Sequence, residues 1–170
     1  MNSPTVGTTA PFEDAFREAM SAVCTPVSVV TGMSGERPHG TTVSAFMSLS
    51  LEPPMILVSL DKGSVLLAII REAGRFGLNV LATEQAALAT TFARKGTDKF
   101  DGVDWERVHS VPRLPDAVGF LACTVADLID GGDHVIVLGH VLGAEAAHGQ
   151  PLTYYRRRFG THNSLPVTNG

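Results

Sequence analysis

The residues of this chain that are able to do chemistry fall chiefly in three short stretches, with a few more candidates between Phe92 and Lys99. In Gly131-Gly132-Asp133-His134, two glycines and an aspartate form a tight turn that sets an imidazole at the mouth of the next strand. Imidazole changes charge near neutral pH, although a histidine in a turn is more often plain polar surface. Asp61-Lys62-Gly63-Ser64 leads into a helix predicted from Val65. The free N–H groups of a helix N-terminus attract anions, Gly63 allows close approach, and Lys62 and Ser64 add a cation and a hydroxyl, a set that suits a phosphate. The competing reading is that Ser64 simply caps the helix. The third stretch runs from His39 to Pro54. Taken as one extended strand, it puts Thr42, Ser44, Phe46, Ser48 and Ser50 on one face and Val43, Ala45, Met47, Leu49 and Leu51 on the other. A face of small hydroxyls lets a flat polar ring lie close to the backbone. An ordinary half-exposed antiparallel strand has the same pattern. Further along, Arg94 and Lys99 are candidates to reach a phosphate and Phe92 to pack on a ring, against the alternative of a core phenylalanine beside two surface cations.

What is missing narrows the chemistry. The chain has no GxGxxG, Walker A, HExxH or GxSxG sequence and no Cys/His spacing that suits a metal, so no metal site is expected. If the chain is an enzyme, its chemistry resides in a cofactor held by backbone and hydroxyl groups.

The elements that position these residues are mostly strands, with helices inserted singly. Helices are predicted over Pro11–Val23, Val65–Ala73 (closed by Gly74) and from Thr83 to about Arg94. Strands are predicted over Val27–Thr31, Pro38–Leu49, Met55–Leu60, Arg75–Leu81, Phe120–Ile129 and His134–Ala144, with a short last element over Tyr154–Phe159. Lys95–Gly119 reads as one long irregular connection, of the kind that covers a site. Without regular βαβ alternation, the expected fold is mainly β, an antiparallel barrel with peripheral helices.

The 170 residues fit one domain, expected over 11–160 between a flexible N-terminus (1–10) and a flexible tail (161–170). A net charge of −4 supplies no basic field for nucleic acid, and Arg156-Arg157-Arg158 reads as solvated surface. Only 18% of residues are charged against 44% hydrophobic, which hints at a buried subunit interface. Cys24 and Cys123 are expected as buried free thiols of a cytoplasmic protein. Met1–Ala10 lacks the features of a signal peptide, and no apolar run reaches membrane-spanning length, so no membrane partner is expected.

Taken together, these segments resemble the flavin reductase family, the NAD(P)H:flavin oxidoreductase components of two-component flavin monooxygenases. The matching stretches are Phe16-Arg17-Glu18-Ala19-Met20, Val27-Ser28-Val29-Val30-Thr31, His39 to Phe46, Ser50-Leu51-Glu52-Pro53-Pro54, Phe76 to Leu81, Phe92-Ala93, Gly132-Asp133-His134 and Pro151-Leu152-Thr153-Tyr154-Tyr155, which together span about residues 12 to 159. The resemblance implies an FMN-binding split β-barrel, normally a homodimer, that binds FMN or FAD, oxidises NADH or NADPH and passes reduced flavin to a separate oxygenase. By the same resemblance the flavin lies along Thr41, Thr42, Val43, Ser44, Ala45, Phe46 and Ser48, and its phosphate lies near Lys62, Gly63, Ser64 and Val65. Ser59, Phe92 and Arg94 complete the implied cofactor set, and His134 stands at the nicotinamide as the catalytic residue. Pro26 departs from the glycine that relatives often carry, which bears on how the nicotinamide approaches Cys24 and Thr25. The other readings are a flavin-storing or flavin-sensing barrel without reductase activity and an oxidase resembling pyridoxamine-phosphate oxidase.

Overall fold

The computed structural model describes residues 10–165, and the expectations for residues 1–9 and 166–170 lie outside them. A helix, α1 (Ala10–Ser21), precedes the strands β1 (Thr25–Pro26), β2 (Ser28–Ser34), β3 (Arg37–Val43), β4 (Phe46–Leu51) and β5 (Pro54–Asp61). Then come α2 (Val65–Ala73), β6 (Arg75–Val80), a single 3-10 turn (Thr83–Gln85) and α3 (Ala86–Ala93). The chain ends in β7 (Glu106–Val108), β8 (Val111–Arg113), β9 (Gly119–Gly131), β10 (His134–Ala146), β11 (Leu152–Tyr155) and β12 (Arg158–Thr161).

Seven strands form one antiparallel sheet in the order β3-β2-β6-β9-β10-β5-β4. β3 and β4 lie at opposite ends of that order, yet only Ser44 and Ala45 separate them. A link of that length reaches about 11 Å. The sheet therefore curls until its edges approach each other. The Ser59 N–H donates to the Ala45 carbonyl at 2.9 Å, which carries the β4–β5 pairing into the link. This corrects the expectation of one strand over Pro38–Leu49. The period-two pattern breaks at Ser44, and beyond it Met47 and Leu49 point outward instead of joining the side of buried Val43.

The core inside the curl is built from strands that alternate with period two. Ile56, Val58 and Leu60 of β5 face Val135 and Val137 of β10, and Leu67 and Ile70 of α2 close one end. Helix α2 ends at Gly74, whose φ of 64° is a left-handed conformation that glycine adopts without steric cost. A second cluster packs Phe92 of α3 beneath Val27, Val29 and Leu152.

The stretch 95–119 is not the single irregular connection expected. It contains the β7–β8 hairpin, pinned to the barrel by a buried polar knot. Asn79 Nδ2 donates to the Val29 carbonyl at 3.2 Å and the Pro112 carbonyl at 3.4 Å, while its Oδ1 accepts from the Leu114 N–H at 2.8 Å. The Thr31 hydroxyl donates to the Pro112 carbonyl at 2.7 Å. Asn79 and Thr31 are fully buried, so these bonds satisfy groups that water does not reach. The short last element is also a hairpin, β11–β12, which pairs with β1. Cys123 is buried as expected, and burial pushes its thiol up to about 12. Cys24 is exposed, contrary to expectation, because it sits in the turn between α1 and β1 rather than inside the barrel. Among the described residues no helix is long and apolar enough to cross a membrane.

Replacing Asn79 with alanine strands the Leu114 N–H in the core and leaves the Pro112 carbonyl with the Thr31 hydroxyl as its remaining side-chain donor. Asn79→Ala is expected to cost about 1–3 kcal/mol of stability, read as a lower midpoint in urea unfolding with an unchanged slope.

Candidate functional site: a groove at the barrel closure

Where the sheet edges meet, a groove of about 790 Å3 opens between β3, the Ser44–Ala45 link, the start of α2, the end of α3 and the mouth of β10. Of the residues singled out from sequence, Thr41, Thr42, Val43, Ser44, Ala45, Ser59, Gly63, Ser64, Val65, Arg94 and His134 line it. Four others do not. Phe46 packs against the core, Ser48 lies further along β4, and Lys62 turns aside to pair with Asp130 at 3.3 Å. Phe92 cannot offer its ring to a ligand: the side chain is fully buried and meets Phe100 edge to face, with ring centroids 4.9 Å apart. It acts from beneath. A Cβ at position 40 would stand 2.8 Å from the Phe92 ring, so glycine is required there and the groove wall lies at backbone height.

Two hairpin ends are held side by side at one end of the groove. β5 and β10 pair so that Asp61 faces His134, and the Lys62 N–H donates to the Asp133 carbonyl at 3.0 Å. The β9–β10 loop has only two residues, Gly132 and Asp133, with Gly132 at a φ of 66°, which a side chain would resist. Asp133 Oδ1 lies 2.8 Å from His134 Nδ1. This hydrogen bond, followed by the charge of His134, holds the Asp133 carboxyl below its usual range. An ionised carboxylate only accepts, so Nδ1 carries the proton and Nε2 of a neutral ring is left as an acceptor.

The helix start offers donors of the kind that suit an anion. Asp61 Oδ1 accepts from the Gly63 N–H at 2.6 Å and shapes the turn, and Ser64 takes the N-cap position in extended conformation. Its hydroxyl makes no capping bond, so simple capping does not account for Ser64. The first amides of α2 lack intrahelical partners, as at every helix start. Among the described residues, the N–H groups of Ser44 and Ala45 also donate to no backbone carbonyl. The Ser64 hydroxyl, the α2 start and the Ser44–Ala45 link thus line one groove with donors the fold leaves unused, groups of the kind that suit a phosphate or the polar edge of a flat ring.

The opposite wall is fixed by donors already in use. Thr42 Oγ1 donates to the Ala89 carbonyl at 2.6 Å, and Lys99 Nζ donates to the Gly40 and Phe92 carbonyls at 3.2 and 3.0 Å. These are carbonyls of the α3 C-terminus and of β3, so Lys99 serves as a clamp, and burial lowers the pKa of its ammonium. His39 and Gly40 also line the groove and did not stand out in the sequence. Burial, then Arg37, then Lys99, lower the pKa of His39. The only sign of either residue was its place at the start of the strand with the hydroxyl face.

An antiparallel barrel split at this closure, with a groove for a phosphate-bearing ring, defines a flavin-binding class of protein. Residues 20–162 match the family model described as a flavin reductase like domain. The chain is 42% identical over 145 residues to the reductase component of a 4-nitrophenol 4-monooxygenase/4-nitrocatechol 2-monooxygenase from Rhodococcus opacus, covering 85% of this chain and 78% of that one. It is 40% identical over 147 residues to the FMN reductase (NADH) SmoA from Agrobacterium fabrum, covering 86% and 84%. The NADH:FAD oxidoreductase SgcE6 of Streptomyces globisporus, solved in complex with NAD and FAD fragments, superposes with a TM-score of 0.84 at 30% identity, covering 96% of this chain and 100% of that one. The chain belongs to the flavin reductase family and has its split-barrel fold.

Because the Ser64 hydroxyl supports no bond within the protein, Ser64→Ala is expected to leave the thermal midpoint in place. It should weaken FMN binding by about 0.5–1.5 kcal/mol, read by quenching of flavin fluorescence.

Proposed function

We propose that this chain oxidises a reduced nicotinamide nucleotide and passes the electrons to flavin, which a separate oxygenase then uses. One observation carries this reading: Ser44 and Ala45 with their unused amides, Ser64 with its unbonded hydroxyl at the α2 start, and the Asp133-oriented His134 all line one groove. Family membership and the names of the relatives support it. When bound, flavin accepts a hydride from the nicotinamide. Ser64 and the first amides of α2 hold the phosphate, with Arg94 as a further cation. The Ser44 and Ala45 amides hold the polar edge of the ring, where negative charge develops on reduction. His134 uses Nε2 to orient the nicotinamide carboxamide, and Asp133 keeps the imidazole in the tautomer that does so. Ser44, Ala45, Gly63 and Arg94 are exposed, which leaves the groove open enough for reduced flavin to depart.

The working unit is a homodimer in the cytoplasm. The apolar side of α1 (Phe12, Phe16 and Met20) and the outer side of β4 (Met47, Leu49 and Leu51) are exposed in the single chain, Leu51 at 87%. Exposed apolar side chains grouped on one side of a helix and one side of an edge strand suit a subunit interface. Replacing Met47 and Leu49 with lysine should shift the mass in solution from two chains to one, read by light scattering.

The direct test mixes the protein with FMN and NADH and follows the loss of the nicotinamide absorbance in the near ultraviolet.

 That loss is expected with FMN and NADH together and with neither alone, and its absence with both NADH and NADPH would favour a flavin-storing barrel. His134→Ala is expected to lower kcat/KM for NADH by about 10- to 100-fold while flavin affinity stays in place. Unchanged turnover in that variant would overturn the role given to His134.

A further inference from the structure

Strand β10 begins at His134 and lies between β5 and β9 in the sheet. Its first residue pairs with Asp61 on one side and with Gly131 on the other. Lys62 follows Asp61, Asp130 precedes Gly131, and the Lys62 ammonium lies 3.3 Å from Asp130 Oδ1. One ion pair thus spans from one neighbour of β10 to the other, across the end of the strand that bears the imidazole. The backbone makes a second tie at the same place, where the Lys62 N–H donates to the Asp133 carbonyl at 3.0 Å.

Lys62 also belongs to the turn that opens α2. Asp61, Gly63 and Ser64 line the groove and Lys62 does not. Asp61 closes that turn twice: its Oδ1 accepts from the Gly63 N–H at 2.6 Å and its carbonyl accepts from the Ser64 N–H at 3.0 Å. Ser64 therefore stands on a closed turn that Lys62 fastens to the strand end bearing His134. The Lys62 and Asp130 side chains are 44% and 78% exposed, so their pair adds little to the stability of the fold. What it restricts is the spacing of the two turns. The hydrogen bond from His134 and then its charge hold the Asp133 carboxyl below its usual range, and the Lys62 ammonium adds to that pull. Lys62 thus also favours the ionised carboxylate that fixes the imidazole tautomer.

We propose that the Lys62–Asp130 pair is a positioning device for hydride transfer: it straps the His134 end of β10 to the turn that carries Ser64, and so fixes the nicotinamide-orienting imidazole relative to the flavin. The inference rests on the flavin reductase reading, and it gives Lys62 a role exerted through His134 rather than on the phosphate. Hydride transfer needs the two rings in near-attack alignment, so a small loosening between the turns costs rate without costing flavin affinity.

The test mixes the full chain, loaded with FMN, with excess NADH in the absence of oxygen and reads the rate at which the flavin absorbance bleaches in a single turnover. Lys62→Met and Asp130→Asn should each slow that step about three- to tenfold, and the two together should slow it no more than either alone. Lys62→Arg, which keeps the charge, should recover most of the rate. In a His134→Ala background, Lys62→Met should change the rate by less than about twofold, because the imidazole it positions is gone. FMN affinity, read by quenching of flavin fluorescence, should stay in place throughout. Full rates in Lys62→Met and Asp130→Asn overturn the proposal. So does a loss of FMN affinity in Lys62→Met as large as the loss of rate, which would make Lys62 a phosphate ligand. An undiminished effect of Lys62→Met in the His134→Ala background overturns it as well. Normal bleaching by the unaltered chain with unresponsive variants removes the positioning role alone, whereas no bleaching by the unaltered chain with either NADH or NADPH removes the flavin reductase reading beneath it.

Discussion

The structure depends on a two-residue constraint. Ser44 and Ala45 join strands at opposite ends of a seven-strand order, and so short a link obliges the sheet to close. Closure there leaves the link outside the ladder, with amides that no strand satisfies. In water such amides cost little; in a groove they select a ligand with acceptors along one edge. The same turn of chain that makes the barrel therefore makes its binding floor. A longer link would let the edges drift apart and remove both.

Around that floor, polar side chains divide by whether the fold already uses them. Lys99 and Thr42 hold the carbonyl end of α3 against β3, and Lys62 is paired with Asp130. They give stiff walls and no open donor pair for a phosphate. Ser64 and the start of α2 remain available, as does Arg94, which forms no ion pair among the described residues. Asp133 belongs to both sets: its backbone carbonyl accepts from Lys62 and its carboxylate from His134. One residue thus links the register of β5 and β10 to the orientation of the imidazole. Rigid walls with an open mouth suit a carrier that must bind a ring in one pose and then let it go.

Much of this was legible in sequence, for physical reasons. The Asp61–Ser64 turn, helix α2 and its Gly74 stop carry strong local signals, because caps and left-handed glycines leave little choice of structure. The tight turn before His134 was similarly clear, although Asp130 and Gly131 belong to β9 and the loop proper is only Gly132 and Asp133. The break at Ser44 was not: a strand that changes sheet edge keeps its period-two pattern on both sides, and nothing local records which partner each half finds. The β7–β8 hairpin was hidden because three-residue strands carry almost no pattern, and their stability comes from Asn79, some thirty residues earlier. Phe92 was ambiguous because only the fold shows that Gly40 lies over its ring.

The outward turn of Met47 and Leu49 follows from the same break and links assembly to the site. Inside the barrel β4 presents Phe46 to the core, so its alternate residues must face out. β4 begins at the residue after Ala45, so whatever covers its outer side also stiffens the link that lines the groove. A second copy laid on that side would restrict the link before any ligand arrives, and binding would then lose less conformational entropy. On this argument the exposed apolar strand and the unsatisfied amides are two consequences of one short connection, and flavin affinity should rise with the fraction of chains in the paired state.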